Sequence, residues 1–483
     1  MRVDRKVLAA RLRQIVDPAY VISDPAGIGV YELDASDESI AGIHSPDVVV
    51  LPRTVEEISA IVRAANDLDV PVVVRGAGTG LAGGTVTTRG GILLVTARMN
   101  NILEINEVDR YAIVEPGVIN LDLTTALLPR GYYYAPDPAS QKTCTIGGNI
   151  ANNSGGPHCL KYGVTSNHIL GLEIVTSTGE VMWVGGPSSE MPGFDLTGVM
   201  IGAEGTLGIV TKAMVRISRR PQNSGVLLAA FPSIDAASRA VSATIAAGII
   251  PASMELMDHL TITAIEISAQ AGYPADAAAV LLIELDGLEA DVAANKPVVA
   301  EICEEHGALE VRVAETKAEE DALWAGRKSA FGAMGRLAPN YHLTDTVVPR
   351  TKLPIALERV AEVAEQYDLK IANVFHAGDG NLHPLILFDR EIPGTMERVL
   401  EASEVLMQYC IDLGGAVSGE HGIGIEKQEA LPLMFSDDDL EAMARLKRVF
   451  DPHNRLNPGK VFPTRFDPYA AARATERDAL HVD

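Results

Sequence analysis

The segment Arg75-Gly76-Ala77-Gly78-Thr79-Gly80-Leu81-Ala82-Gly83-Gly84 follows a buried apolar run, Val70 to Val74, and it closes off a whole class of folds. Glycines let a backbone turn its N–H groups toward an anion, because no Cβ blocks the approach. Gly78 to Gly83 even spells GxGxxG, the fingerprint of a dinucleotide turn. That turn must open into a helix, and a helix of three turns takes about 11 residues. Only eight residues separate Gly83 from the next strand-like run, Ile92 to Thr96, and Arg89-Gly90-Gly91 breaks the interval. A crossover helix does not fit, so a Rossmann domain is excluded. Considered alone, the loop is also compatible with a glycine-rich surface turn.

Two further segments narrow the reading. One runs Pro136-Asp137-Pro138-Ala139-Ser140, then Thr145-Ile146-Gly147-Gly148-Asn149-Ile150-Ala151-Asn152-Asn153-Ser154-Gly155-Gly156, and is followed by Lys161-Tyr162-Gly163. The other reads Gly202-Ala203-Glu204-Gly205-Thr206-Leu207-Gly208-Ile209-Val210. In this order the three segments resemble the FAD-binding domain of vanillyl-alcohol oxidase and its relatives, from about Ser45 to Arg219. The resemblance implies that the first loop and Thr145 to Gly156 wrap the pyrophosphate and flavin, while the third segment lines the flavin ring and adenine. It assigns to FAD Arg75, Gly76, Gly78, Thr79, Gly80 and Gly83 from the first loop. From the second come Pro136, Ser140, Thr145, Gly147, Gly148, Asn152, Ser154, Gly155, Gly156, Tyr162 and Gly163, and from the third Glu204, Gly208 and Ile209. Many relatives attach FAD through a histidine in the first loop. None lies between Arg75 and Gly84, so non-covalent FAD is implied.

A different chemistry is written in His376-Ala377-Gly378-Asp379-Gly380-Asn381-Leu382-His383, between two apolar runs. Asp-Gly between strands signals a two-residue hairpin turn. A turn at Asp379-Gly380 puts His376 directly opposite His383 on one face, with Cβ atoms about 5 Å apart. Two imidazoles held so begin a metal site. Glycines flank Glu420 and His421 in Ser418-Gly419-Glu420-His421-Gly422-Ile423-Gly424 and leave both side chains able to enter a cleft, with a third ligand among them. The bland alternative is two hydrogen-bonded histidines in a hairpin and an exposed Glu-His. The paired motifs resemble the metal-dependent FAD dehydrogenases of D-2-hydroxy acids: the glycolate oxidase flavoprotein subunit, D-lactate dehydrogenase and D-2-hydroxyglutarate dehydrogenase. That resemblance implies His376, His383 and Glu420 as ligands of zinc or manganese, and His421 as the base.

Leu323-Trp324-Ala325-Gly326-Arg327-Lys328 lies on a predicted helix, with Arg336 further on. Arginine matches a carboxylate with two parallel hydrogen bonds. Arg327, Lys328 and Arg336 are therefore candidates for a substrate carboxylate, a solvated basic face being the alternative. The Trp-x-x-Arg pattern resembles the family's carboxylate-binding arginine and favours Arg327. His342-Leu343-Thr344 before Asp345 departs from the hydroxyglutarate branch. Arg455-Leu456-Asn457-Pro458-Gly459-Lys460 resembles the family's C-terminal return to the flavin, which adds Asn457 to the FAD residues.

The chain has 483 residues, more than one hydrophobic core supports. The expected organisation is an FAD-binding domain over 1–219 with its core from about 45, a substrate domain over 220–415 carrying the metal hairpin, and a helical C-terminal segment over 416–483. The fold class is α+β, with the second domain an antiparallel sheet covered by helices on one side. A net charge of −24 argues against nucleic acid and anionic lipid as partners. The cysteines, Cys144, Cys159, Cys303 and Cys410, form no CxxC pair, which argues against zinc ribbons and iron–sulfur clusters and fits a reducing compartment. No uncharged apolar run reaches the roughly 18 residues of a membrane span. A cytoplasmic protein is expected, peripheral to a membrane only through a partner.

These readings converge on FAD-dependent oxidation of a small D-2-hydroxy acid, glycolate or D-lactate. Its expected partners are that acid and an iron–sulfur or quinone-linked electron acceptor, with the chain a homodimer or a subunit of a complex. The alternatives are a flavoprotein subunit with little activity alone, a hydroxyglutarate-type dehydrogenase, an oxidase that reduces oxygen, and a metal-binding protein without catalysis.

Overall fold

A computed structural model describes residues 3–188, 192–466 and 468–469. The last stretch of the expected C-terminal segment, 470–483, lies outside the described residues. The chain divides into two compact units. The first comprises 1–154, 164–219 and 420–483, and the second 155–163 and 220–419.

The first unit holds two main sheets. In the smaller, Val21–Ile22, Val48–Val50, Ile92–Val95 and Val72–Arg75 lie in that order, the last three mutually parallel. Helix Val55–Leu68 connects two of them. Thr54 caps it by accepting from the Glu57 N–H, whereas the Glu57 carboxylate reaches the Arg53 N–H, one residue short of a closed capping box. Ile58, Ile61, Val62 and Ala65 recur at helical spacing and are buried against Val48, Val50, Val72 and Ile92. No helix occupies 76–91, so the first glycine-rich loop makes the return between the parallel neighbours Val72–Arg75 and Ile92–Val95 unaided. The second sheet is antiparallel, in the order Ile102–Asn106, Tyr111–Val114, Ile209–Arg216, Ile169–Val175 and Val181–Gly185.

The second unit is built on a nine-stranded antiparallel sheet. Its spine runs Glu310–Val313, Asn223–Phe231, Ala279–Gly287, Ser253–Asp258 and Lys370–His376. The helices cover both faces, not one. Leu227, Ala229, Phe231, Leu281 and Ile283 pack under Ile234–Ala246, Glu289–Glu305 and Leu353–Gln366. The alternate residues Val226, Leu228, Ala230, Val280 and Leu282 pack under His259–Ser268 and Lys317–Ala333. Burial on both sides is why these strands read as unbroken apolar runs. Leu281 is fully buried at the centre. Leu281→Ala is expected to cost about 2–5 kcal/mol of stability. Chemical denaturation checks this, and a loss below about 1 kcal/mol would mean the site collapses without a cavity.

The strand Ser253–Asp258 and the helix His259–Ser268 are not among the elements expected from the sequence. Glu255 and Asp258 interrupt what is otherwise an apolar run, yet all six strand residues are buried. Ile146–Asn152, which reads as a glycine-rich segment, forms a short helix capped by Thr145. Among the described residues no helix is long and apolar enough to cross a membrane.

Candidate functional site

In the second unit the two hairpin histidines come together, though not as direct opposites. His376 pairs with Asn381, and the adjoining register runs Asn373 with Pro384 and Ala372 with Leu385. The connection is the four residues 377–380, not the two-residue turn expected from Asp-Gly. The Gly380 N–H donates to the His376 carbonyl at 3.2 Å, and Asp379 Oδ1 accepts from the Asn381 N–H at 3.2 Å. Gly380 has φ +83°, and a Cβ there would stand 2.1 Å from the Val348 carbonyl, so glycine is required. A register shift of two residues keeps both histidines on one face. Their rings are 5.2 Å apart, edge to face, and both are buried.

Two buried carboxylates surround the pair. Glu255 Oε1 and Oε2 lie 2.8 and 3.0 Å from His376 Nδ1. Asp345 Oδ1 lies 3.5 Å from His383 Nε2. Asp345 also accepts from the Ser418 hydroxyl at 2.8 Å and the Gly419 N–H at 3.0 Å, fixing the chain just before Glu420. Neither Glu255 nor Asp345 is among the site residues expected from the sequence. An acidic residue inside a run that otherwise reads as buried strand is the signal that would have found Glu255.

Arg327 is buried on helix Lys317–Ala333, and its Nε and Nη2 meet Glu255 Oε2 at 2.7 and 2.6 Å. Burial alone would raise the Glu255 carboxyl, but its contacts with His376 and Arg327 outweigh it and hold the carboxyl down at about 2. Four residues on, along the same helix face, Phe331 lies 6.1 Å from the His383 ring. Lys328 is exposed over the Trp324 ring, and Arg336 is exposed on the short turn Met334–Arg336. Neither takes part in this network, because one helical step turns Lys328 about 100° from Arg327 and Arg336 lies past the helix end.

A histidine pair and carboxylates suit a borderline divalent ion such as zinc or manganese. A carboxylate on the far nitrogen of a ligating histidine is the usual support for such a ligand. The donor set therefore fits the ion that the sequence suggests.

The remaining candidates lie largely in the first unit. Gly78 and Gly83 have φ +73° and +70°, and Arg75 folds under the loop to donate to the Leu33 carbonyl at 2.6 Å. A Cβ on Gly76 would stand 2.3 Å from Thr145 Oγ1, so the first two glycine segments touch. Asn152 Nδ2 donates to the His421 carbonyl at 3.0 Å. The Glu204 carboxylate accepts from the N–H groups of Ile423 and Gly424 at 2.6 and 2.8 Å, and burial raises its pKa while these bonds partly offset the rise. The Ile425 N–H donates to the Ala82 carbonyl at 2.8 Å. The loop carrying Glu420 and His421 is thus seated on all three glycine-rich segments, and His421 Nε2 stands 4.0 Å from Glu420 Oε1. Asn457 Nδ2 donates to the carbonyls of Gly84 and Glu204 at 2.9 and 2.6 Å.

Several predicted FAD residues have other company. Ile209 packs in the core with Val175, and Gly208 is backed by Ile174 and Met200. The Ser154 hydroxyl accepts from Asn149 at 3.2 Å, and the Pro136 carbonyl from Asn120 at 3.0 Å. The Ser140 carbonyl accepts from the Thr143 and Cys144 N–H groups at 2.8 Å. Gly155, Gly156, Tyr162 and Gly163 belong to the second unit, where the Tyr162 hydroxyl donates to Asp286 at 2.6 Å.

The first unit fits FAD. A Cβ on Gly80 or Gly84 would meet nothing of the protein within 3.5 Å, and neither has a positive φ, so the chain's own packing and backbone do not explain glycine there. Asn457 Oδ1 is buried without a hydrogen-bond partner in the protein. Open glycines and an unused acceptor suit a large polar cofactor lying along these loops. Gly424→Ala should unseat the loop, because it has φ +52° and a Cβ there would stand 1.9 Å from the Ala82 carbonyl. The expected result is a poorly loaded, destabilised protein, about 1–3 kcal/mol less stable, checked by the flavin-to-protein absorbance ratio. Full loading would contradict it.

Comparison with known proteins agrees with this geometry. Residues 46–185 match the FAD binding domain family, and residues 220–461 match the C-terminal domain of FAD linked oxidases. Glycolate oxidase subunit GlcD of Escherichia coli (strain K12) is 46% identical over 99% of this chain and 94% of its own length. GlcD of Bacillus subtilis (strain 168) is 43% identical over 95% of this chain and 97% of its own. A D-lactate dehydrogenase of Archaeoglobus fulgidus is 36% identical over 86% of this chain and 91% of its own. Among solved structures, p-cresol methylhydroxylase superposes with a TM-score of 0.80 at 18% identity, covering 97% of this chain and 98% of that one, which speaks to the fold alone.

Proposed function

The chain belongs to the FAD-linked oxidases, the family of glycolate oxidase subunit GlcD and D-lactate dehydrogenase, and on that premise we propose that it oxidises glycolate or D-lactate to the 2-oxo acid with the help of a divalent ion and a histidine base. The observation that carries the proposal is the buried His376–His383 pair with Glu255 on His376 Nδ1. His376, His383 and Glu420 would hold zinc or manganese. Arg327 binds the substrate carboxylate through the guanidinium hydrogens that Glu255 does not engage. His421 takes the proton of the 2-hydroxyl on a ring nitrogen. Bound FAD supplies a two-electron acceptor, and the ion supplies positive charge that makes the hydroxyl a stronger acid. Phe331 and the apolar hairpin strands keep water from the imidazoles.

The GlcD relatives are named as subunits, which supports a flavoprotein that hands electrons to an iron–sulfur or quinone-linked protein within a complex. We read the chain as cytoplasmic, with any membrane association through that partner. Turnover assays with a dye acceptor test the proposal. Glycolate or D-lactate should be oxidised in clear preference to L-lactate, with dye reduction outrunning peroxide. Equal use of both lactate isomers would remove the stereochemical part, and peroxide matching dye reduction would make the protein an oxidase.

A further inference from the structure

One carboxylate joins the two side chains that the proposed function assigns to the ion and to the substrate. Glu255 contacts His376 Nδ1 at 2.8 Å through Oε1, and its Oε2 accepts from Arg327 Nε at 2.7 Å and faces Nη2 at 2.6 Å. The Ser253 hydroxyl donates to Oε1 at 3.1 Å. The Glu255 side chain is 0% exposed, and those of Arg327 and His376 are 4% and 7% exposed. Water therefore cannot stand in for any of these partners.

The chemistry of the acceptor decides the state of the ring. An ionised carboxylate beside a guanidinium only accepts hydrogen bonds, so the hydrogen of the His376 ring sits on Nδ1. In the neutral ring that leaves the Nε2 lone pair for a ligand. The same bond fixes the rotation of the ring, and strand Ser253–Asp258 fixes the bond, since Glu255 is itself the register partner of His376. Arg327 is held in the same way. With Nε and one edge of Nη2 turned to Glu255, the Nη1 edge keeps donors for a planar anion.

We propose that Glu255 is a positioning residue that presents His376 Nε2 to the divalent ion and orients Arg327 for the substrate carboxylate, so that a single side chain sets both affinities. This rests on the reading of the preceding subsection. A purely structural ion pair would act otherwise. Its loss would lower stability and leave ion and substrate binding as they are.

The test uses the full-length flavoprotein, stripped of metal and titrated with zinc or manganese alone. Glu255→Gln keeps the volume but replaces an acceptor-only group with an amide. It is expected to weaken ion binding about 10- to 100-fold and to raise KM for the 2-hydroxy acid more than it lowers kcat, with the flavin spectrum unchanged. Ser253→Ala removes one support of the carboxylate and should weaken ion binding about three- to tenfold. This milder variant decides the question if Glu255→Gln does not fold. A lowered unfolding midpoint, with ion affinity and KM within about twofold of wild type, overturns the proposal. Wild-type protein that holds an ion, lost in His383→Ala and unaffected in Glu255→Gln, overturns it alone. Wild-type protein that holds no ion overturns the proposed function as well.

Discussion

His421→Ala, at the proposed base, is expected to keep its yellow flavin band and as much metal as the wild-type protein holds, and to lose turnover about 100- to 10,000-fold, the span that a positioned general base contributes. The loop should survive the change. Its seat on the first unit runs through main-chain groups: the His421 carbonyl on Asn152, the Ile423 and Gly424 N–H groups on Glu204, and the Ile425 N–H on Ala82. None of these involves the imidazole. KM should move far less than kcat, because the proposed function gives the carboxylate to Arg327 and not to His421. An unchanged kcat with full flavin would take His421 out of the role of base.

His383→Ala is expected to act through the ion. The His383 imidazole is 1% exposed and stands 3.5 Å from an Asp345 oxygen and edge to face with His376, so nothing mobile can replace it. If His383 is the ligand that the proposed function makes it, its loss should cost at least the roughly 100-fold that the loss of a supporting residue can cost. Purified His383→Ala protein should carry FAD at wild-type level and little metal by elemental analysis, with substrate turnover lost in step. Full metal retention would break the ligand assignment and leave the histidine pair a packed feature of the hairpin.

The functional parts of each unit that are legible in the sequence are those whose backbone conformation dictates the residue. Gly78, Gly83, Gly380 and Gly424 all have positive φ, and their spacing marks the loops in the sequence alone. The helix Val55–Leu68 is legible from its apolar period and the Thr54 cap, and four strands of the second sheet from their apolar runs, whereas Ile102–Asn106 is not. The hairpin at 376–383 is legible in its face but not in its register. A four-residue connection, closed by the Asp379 side chain and the Gly380 N–H, replaces the two-residue turn that Asp-Gly suggests, and the shift by an even number leaves the face unchanged.

Pairing at long range is not legible in the same way. Glu255 is 72 positions from Arg327 and 121 from His376, and neither propensity nor period relates them. Its strand escapes a reading by pattern because two carboxylates in a buried run argue against a strand unless their partners are known. The helix His259–Ser268 escapes it as well, and although Lys317–Ala333 does read as a helix, its place on a second face does not, since an unbroken apolar strand does not say how many sides are covered.

The central claim is tested most directly by anaerobic bleaching of the flavin band with 2-hydroxy acids, with and without a chelator. Rapid bleaching by glycolate or D-lactate, abolished by the chelator and restored by zinc or manganese, is the predicted result. A yellow protein that no 2-hydroxy acid bleaches, or one bleached equally well after its metal is removed, would contradict it.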